Sequence, residues 1–157
     1  MAAVFSPMIV RTVDADSPSG RLLARSKVVF RLPDGSNCNT VQLTGDGKTV
    51  LCGKYGGNSL DRSAAYAPKF VAYSVTTGRS RLLYQLKGAY QLGLANVLWA
   101  SPTGSTLLGA VYAATTLSRT GTSQGPVHQA TGLLTNGLFT PLKLPLTAIP
   151  FAGEIAF

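Results

Sequence analysis

The sequence is poor in charged residues, and in acidic residues above all. Only 13% of its 157 residues are charged, about half of the roughly 25% typical of soluble proteins, so long disordered charge-rich tracts are excluded. No apolar run reaches the roughly 18 residues that a membrane-spanning helix needs. Six Asp and Glu face fourteen Lys and Arg, which gives a net charge of +8. With 45% hydrophobic residues, the chain can still bury a sizeable core.

The positive charge permits attraction to nucleic acid or to an anionic membrane surface. The basic residues are scattered, however, and the pair Arg79 and Arg81 is among the densest places. Because nucleic-acid-binding proteins usually cluster such residues, this scatter argues against a nucleic-acid partner. Weak binding to nucleic acid or anionic surfaces stays an alternative function, and it predicts an affinity that falls steeply with salt.

Residues for catalysis and metal binding are also scarce. Cys38 and Cys52 match no redox or zinc spacing, and His128, the single histidine, cannot complete a tetrahedral site with them unless acids help. The sequence has no nucleophile elbow, phosphate-binding loop, dinucleotide fingerprint or HExxH motif. We therefore expect no catalytic residue, metal or cofactor in this chain.

The two cysteines lie 14 residues apart and could form a disulfide across adjacent strands if the protein is exported. Because cysteine is among the most buried residue types, the sequence favours buried free thiols instead. Residues 1–13 lack the cationic and apolar segments of an export signal. We expect that a signal or anchor, if there is one, lies outside this sequence.

Short runs with the composition of strands fill most of the chain. They are rich in β-branched or aromatic residues, and Gly, Pro, Asp or Asn lies close to most of them. No window of a dozen residues combines helical spacing with helix caps. The sequence therefore predicts one all-β domain over residues 1–157.

An internal repeat organises these strands. Residues 44–51 align without gaps with residues 101–108, and each copy has a small polar residue, a turn that ends in glycine and an apolar strand. Each copy continues into a second hairpin, whose turn is Thr76-Thr77-Gly78 or Thr135-Asn136-Gly137. Four antiparallel strands are thus predicted in each of two units, with one outer hairpin before them and one more short strand after them: residues 40–86, 96–143, 10–32 and 154–157.

The repeat resembles the WD40-like repeats of TolB-type β-propellers. The segments Gly45-Asp46-Gly47-Lys48 and Trp99-Ala100-Ser101-Pro102-Thr103-Gly104 are similar to that family's W-S-P-D-G pattern, and residues 73–78 are similar to its D-x-x-T-G pattern. More narrowly, residues 10–157 resemble the C-terminal part of uncharacterised actinobacterial proteins that have a membrane anchor before such a propeller. The resemblance implies four-stranded blades and a membrane-associated or extracytoplasmic location.

The predicted units amount to about two and a half blades, whereas closed propellers need roughly four to eight. An open stack of blades exposes unpaired edges and apolar faces. We therefore expect the chain to be a fragment of a longer protein, or to complete its ring by self-association. A β-sandwich, in which the same hairpins share one core, is the alternative fold.

The long connections at residues 54–69 and 113–128 are the best indication of function. Equivalent loops of neighbouring blades emerge on one face, and long loops in compact domains are uncommon unless they are functional or disordered. The residues predicted to contact a protein or a small ligand there are Tyr55, Asn58, Arg62, Tyr66, Arg119, Gln124 and His128. The alternative is that both loops are solvated linkers, and that His128 is only a loop or edge residue. Trp99, in contrast, is expected to pack in the core near the contact between blades.

The sequence thus favours a non-catalytic, propeller-type scaffold or binding module. The alternative from the enzyme class is a fragment of a propeller hydrolase or lyase whose catalytic residues lie outside this chain.

Overall fold

The structure, a computed structural model, describes residues 9–12, 27–56, 67–88, 90, 92–117 and 123–143. These residues form ten β-strands and no helix, so the all-β prediction is confirmed. The strands are β1 (Ile9–Thr12), β2 (Lys27–Arg31), β3 (Cys38–Leu43), β4 (Thr49–Gly56), β5 (Lys69–Ser74), β6 (Ser80–Gln85), β7 (Leu92–Ala100), β8 (Thr106–Leu117), β9 (Ser123–Thr135) and β10 (Leu138–Pro141).

The strands pair in antiparallel order along the chain. β1 pairs with β2, β3 to β6 follow one another across a four-stranded sheet, and β7 to β10 do so across a second one. We call these sheet 1 and sheet 2. They are joined where Tyr55 and Gly56 at the end of β4 pair with Leu94 and Gly93 of β7. The predicted four-stranded antiparallel units are therefore confirmed, whereas residues 13–26 and 154–157 lie outside the described residues.

The same turn connects the first two strands of each sheet. In sheet 1 the Thr44 N–H donates to the Thr49 carbonyl, and the Thr44 hydroxyl accepts a hydrogen bond of 3.1 Å from the Thr49 N–H. In sheet 2 Ser101 and Thr106 make the same two bonds. Each turn ends in a glycine with a φ of 70°, which a residue with a Cβ adopts only with strain: Gly47 and Gly104. The aligned segments fold alike because they share this turn chemistry.

Sheet 1 is the middle of three layers. One of its faces packs against sheet 2, where Leu51 and Phe70 meet Leu107 and Leu134. Its opposite face, which carries Val50, Cys52, Val71 and Tyr73, packs against Phe30 and Leu32 of the β1–β2 layer. Sheet 1 therefore buries apolar side chains on both faces.

Residues 57 positions apart contact each other where the two sheets meet. The Asn39 side-chain amide donates to the Asn96 side-chain oxygen, and the Val97 N–H donates to the Thr40 hydroxyl at 2.7 Å. At the turns, a Cβ added to Gly45 would lie 3.2 Å from the Cα of Pro102. The aligned copies thus lie side by side, with each of these residues next to its own counterpart.

The expectation of free thiols is wrong, because Cys38 and Cys52 form a disulfide. The two residues lie on the adjacent strands β3 and β4, and their Cα atoms are 5.5 Å apart, a usual separation for a disulfide. The register of β3 shifts between Cys38 and Thr40. Such an irregularity redirects side chains locally. The residues around Cys38 and Cys52 in the sequence do not indicate this register shift.

The expectation that Trp99 packs in the core is also wrong, because its side chain is 50% exposed. Along β7 the buried residues alternate through Ala95 and Val97, and the same alternation would bury Trp99. The register with β8 shifts between Val97 and Trp99, however, so Leu98 is an extra residue. This bulge turns Trp99 to the opposite face and returns Ala100 to the core.

Most of the long loop predicted at residues 113–128 is strand. β8 continues to Leu117 and β9 begins at Ser123, so their ladder includes the pairs Ala113 with His128 and Thr116 with Gln124. Gly125 and Pro126 suggest a loop, but the register shifts between Ala114 and Thr116, opposite them. A bulge is one of the few places in a sheet that tolerate a proline, which has no N–H to donate.

Reduction of the disulfide should lower the stability of the protein. Removal of a link that closes a loop of this size costs about 3 kcal/mol of unfolding free energy. Urea unfolding with and without a thiol reductant, followed by circular dichroism, measures the loss. The double variant Cys38→Ser/Cys52→Ser is the control, and its midpoint should not respond to reductant. Equal midpoints for the oxidised and reduced wild-type protein would contradict the prediction.

The contact between Thr40 and Val97 should contribute to stability. Thr40→Val keeps the side-chain volume but leaves the Val97 N–H without its acceptor, which should cost about 1 to 3 kcal/mol of unfolding free energy. Thr135→Val is the matched control, because the exposed Thr135 hydroxyl donates to the Thr106 hydroxyl within sheet 2, and it should change stability by less than about 0.5 kcal/mol. Equal losses of unfolding free energy in the two variants, measured by urea unfolding, would contradict the prediction.

Candidate binding surfaces

Different connections between strands lie at the two ends of the sheets. Since consecutive strands are antiparallel, the short turns β3–β4, β5–β6, β7–β8 and β9–β10 lie at one end, which we call the turn end. The last residues of β4, β6 and β8 and the first residues of β5, β7 and β9 lie at the opposite end, which we call the loop end. Binding surfaces at the two ends are therefore built from different segments.

Three of the predicted binding residues belong to the loop end. Tyr55 lies in the last part of β4 and pairs with Leu94, while Gln124 lies near the start of β9 and pairs with Thr116. His128 lies further along β9, and its side chain is exposed. The structure thus brings these three onto the loop-end halves of their strands. The remaining predicted residues lie outside the described part of the chain: Asn58, Arg62, Tyr66 and Arg119.

A buried tyrosine supports His128 at this end. The Tyr90 side chain is only 3% exposed, and its ring makes a T-shaped contact with the His128 ring, with centroids 5.6 Å apart. The Tyr90 hydroxyl donates to the Lys87 carbonyl at 2.9 Å, and burial raises the pKa of Tyr90 above its usual value. Tyr90 therefore packs against His128, whose side chain remains exposed.

Gly88 makes room for this tyrosine. A Cβ at position 88 would lie 2.6 Å from the Tyr90 hydroxyl oxygen, and the φ of 139° at Gly88 also disfavours other residues. The sequence does not indicate Tyr90, since its partner His128 is far away in the chain. A tyrosine two residues after a glycine in a strand connection is only a weak signal.

The turn end carries a groove that the sequence does not indicate. The groove has a volume of about 440 Å³ and lies between β6 of sheet 1 and two turns of sheet 2. Its polar groups come from Arg81, Thr103, Ser105 and Asn136, and four leucines and two glycines form the rest of its lining. A guanidinium, hydroxyls and an amide over an apolar floor can hold a small polar or anionic group. No residue predicted to bind a ligand lines this groove.

Two further properties of the described residues bear on function. Among them, no three His, Cys, Asp or Glu side chains lie close enough together to hold a metal ion. None of them belongs to a helix with the length and apolarity that a membrane crossing needs.

Alkaline pH should test the burial of Tyr90. The folded protein holds Tyr90 protonated to a higher pH than the unfolded chain, whose tyrosines ionise near pH 10. The stabilisation is therefore complete below about pH 10 and is lost as the pH rises through the folded pKa. Tyr90→Phe removes this ionisation, so its urea midpoint should fall less than the wild-type midpoint between mildly and strongly alkaline pH. Tyr84, whose pKa is raised mainly by its own burial, remains in both proteins. Parallel pH profiles would contradict the prediction.

No protein-family model, curated protein or solved structure matches this chain.

Proposed function

We propose that this chain is a propeller-type scaffold that binds a protein or a small ligand and catalyses no reaction. The observation that carries the proposal is the contact between counterparts 57 residues apart, such as Asn39 with Asn96 and Thr40 with Val97. In repeat proteins each unit packs on the next through equivalent surfaces. Sheets that meet in this way are typical of a scaffold built by repetition.

The layers support stacked blades over a β-sandwich. In a sandwich each sheet buries one face and exposes the other. Sheet 1 instead buries Leu51 and Phe70 on one face and Val50 and Val71 on the other. The β1–β2 layer occupies the position that the outer half of a preceding blade would have. These features favour a series of sheets side by side, as in a propeller.

The loop end is the binding surface that we propose. His128 is exposed there and packs on Tyr90, and Tyr55 and Gln124 lie on strand segments at the same end. Arg62, Tyr66 and Arg119 belong to the chain that connects β4 to β5 and β8 to β9. Aromatic and arginine side chains are the residue types that contribute most to binding energy in protein interfaces.

The disulfide supports a location outside a reducing compartment. Structural disulfides persist in secreted, periplasmic and cell-surface proteins, and they are rare in the cytosol. The Cys38–Cys52 bond links β3 to β4 beside the buried cluster between sheet 1 and the β1–β2 layer. We therefore propose that the protein works in an oxidising environment, as a membrane-associated or extracytoplasmic scaffold.

Affinity capture with two matched variants tests the proposal. The first variant, Arg62→Ala/Tyr66→Ala/Arg119→Ala, alters the loop end, and the second, Arg79→Ala/Arg81→Ala/Leu82→Ala, alters the turn end. Both remove two positive charges and one large side chain. Proteins retained from an extract of the source cells by the wild-type chain and by both variants are compared by mass spectrometry.

We expect the loop-end variant to lose at least about nine-tenths of the captured partner, a loss of the size expected when interface hot spots are truncated. The turn-end variant should retain the partner. Retention by the loop-end variant together with loss by the turn-end variant would move the binding site to the groove at Arg81 and would overturn the loop-end proposal.

A further inference from the structure

The outward face of sheet 2, which points away from sheet 1, exposes large apolar side chains. The register places Trp99, Leu108 and Leu133 in one row across β7, β8 and β9. Trp99 is 50% exposed, Leu133 37% and Leu138, on the neighbouring strand β10, 70%. Soluble monomers rarely expose apolar side chains in such a contiguous group, and when they do, the group usually marks a binding surface.

The described strands place no charged residue on this face. The positions of β7 to β10 that point away from sheet 1 hold only Leu, Val, Ala, Trp, Tyr, Thr, Asn and Gln; among them Ala110, Ala114 and Thr131 are buried, and the exposed apolar side chains lie toward the turn end. The absence is notable because the whole chain has a net charge of +8. A nucleic acid or an anionic membrane would find no cation on this face to neutralise its phosphates. Two positively charged chains, in contrast, can bring such faces together without placing like charges in contact.

The repeat indicates what kind of surface fits here. Leu108 is the counterpart of Leu51, and Leu133 pairs with Leu108 as Ala72 pairs with Leu51. In sheet 1 these counterparts are buried beneath another four-stranded sheet, namely sheet 2. No described strand packs on the outward face of sheet 2. Because a four-stranded sheet covers Leu51 and Ala72, we expect that a four-stranded sheet would also cover Leu108 and Leu133.

We infer that the outward face of sheet 2 binds the same face of a second copy of this chain, so that a two-fold symmetric dimer forms. This inference rests on the proposed function, because it takes the repeat as the reason why a sheet covers such a face. A second copy offers a four-stranded sheet with an uncharged apolar face. Sheet 1 of that copy is not available, since its faces are already covered by sheet 2 and by the β1–β2 layer. A two-fold axis then places the row that contains Trp99 and Leu133 in one copy against the same row in the other copy.

Trp99 allows the dimer to be detected by fluorescence in the wild-type protein, because it lies on the proposed interface and is the only tryptophan in the chain. Sedimentation equilibrium over about two decades of protein concentration should show a rise from 16.4 kDa to twice that mass. The tryptophan emission maximum should shift to shorter wavelength over the same range, because association removes the half-exposed Trp99 ring from water. A constant mass of 16.4 kDa, with the emission of a water-exposed tryptophan throughout, would overturn the inference.

Charge insertion provides the matched test. Leu133→Lys and Leu138→Lys each place like charges at the two-fold contact and should raise the dissociation constant of the dimer at least about 100-fold. Leu138 is so exposed in the single chain that its replacement should leave the fold intact, which circular dichroism checks. Leu82→Lys is the control, since the exposure of Leu82 lies between those of Leu133 and Leu138 but Leu82 is on sheet 1 at the turn end. Dimers that dissociate equally in all three variants would overturn the inference.

Failure of the dimer and failure of the proposed scaffold give different results. If the chain is monomeric while Thr40→Val still destabilises it, the repeat packing stands and only the dimer is wrong. If Thr40→Val and its control behave alike, the argument from repeated packing fails, whatever the mass of the particle.

Discussion

The contact between Phe70 and Gly109 sets how closely the two sheets approach. Phe70 is fully buried in β5, and a Cβ at position 109 of β8 would lie 2.5 Å from the end of its ring. The ring of Phe139 stacks on Phe70 at 6.4 Å and on Tyr84 at 5.1 Å, so aromatic side chains from β5, β6 and β10 share one layer. Glycine at position 109 thus gives the largest fully buried side chain of sheet 1 a place against the backbone of sheet 2. The spacing that results allows Thr40 to reach Val97, and it leaves the turn-end groove open between β6 and sheet 2.

The parts of the fold that follow from local chemistry could be predicted from the sequence. The turns at Gly47 and Gly104 need a positive φ, and Asn136-Gly137 supplies two such residues in succession. These short-range requirements define the four-stranded units without knowledge of the packing. The features that the sequence does not reveal depend on register. One extra residue at Leu98 reverses the direction of Trp99, and one irregularity after Cys38 places two cysteines within disulfide distance. A bulge has no strong sequence signal, yet it changes the side of every residue that follows it.

The candidate sites also differ in how far the sequence alone can predict them. His128 could be singled out because it is the only histidine, but its support by Tyr90 depends on a contact between β9 and the connection before β7. The groove at the turn end combines side chains from β6 with two turns of sheet 2. Each segment is unremarkable by itself, and only the approach of the sheets brings Arg81 near Thr103 and Asn136. Composite sites of this kind require tertiary structure, whereas a loop rich in Tyr and Arg can be recognised in the sequence.

The distribution of charge separates the surfaces more clearly than their shape does. Among the described residues, exposed cations lie at the turn end (Lys48, Arg79, Arg81), on the β1–β2 layer (Arg11, Lys27, Arg31), in the β6–β7 connection (Lys87) and after β10 (Lys143). The outward positions of the described strands of sheet 2 carry none. Because the net charge is +8, chains that approach through their basic surfaces repel one another at low ionic strength. The uncharged face is the place where that repulsion is weakest and where apolar burial is most favourable. Charge thus restricts which face associates, while the apolar residues Trp99 and Leu133 supply the driving force.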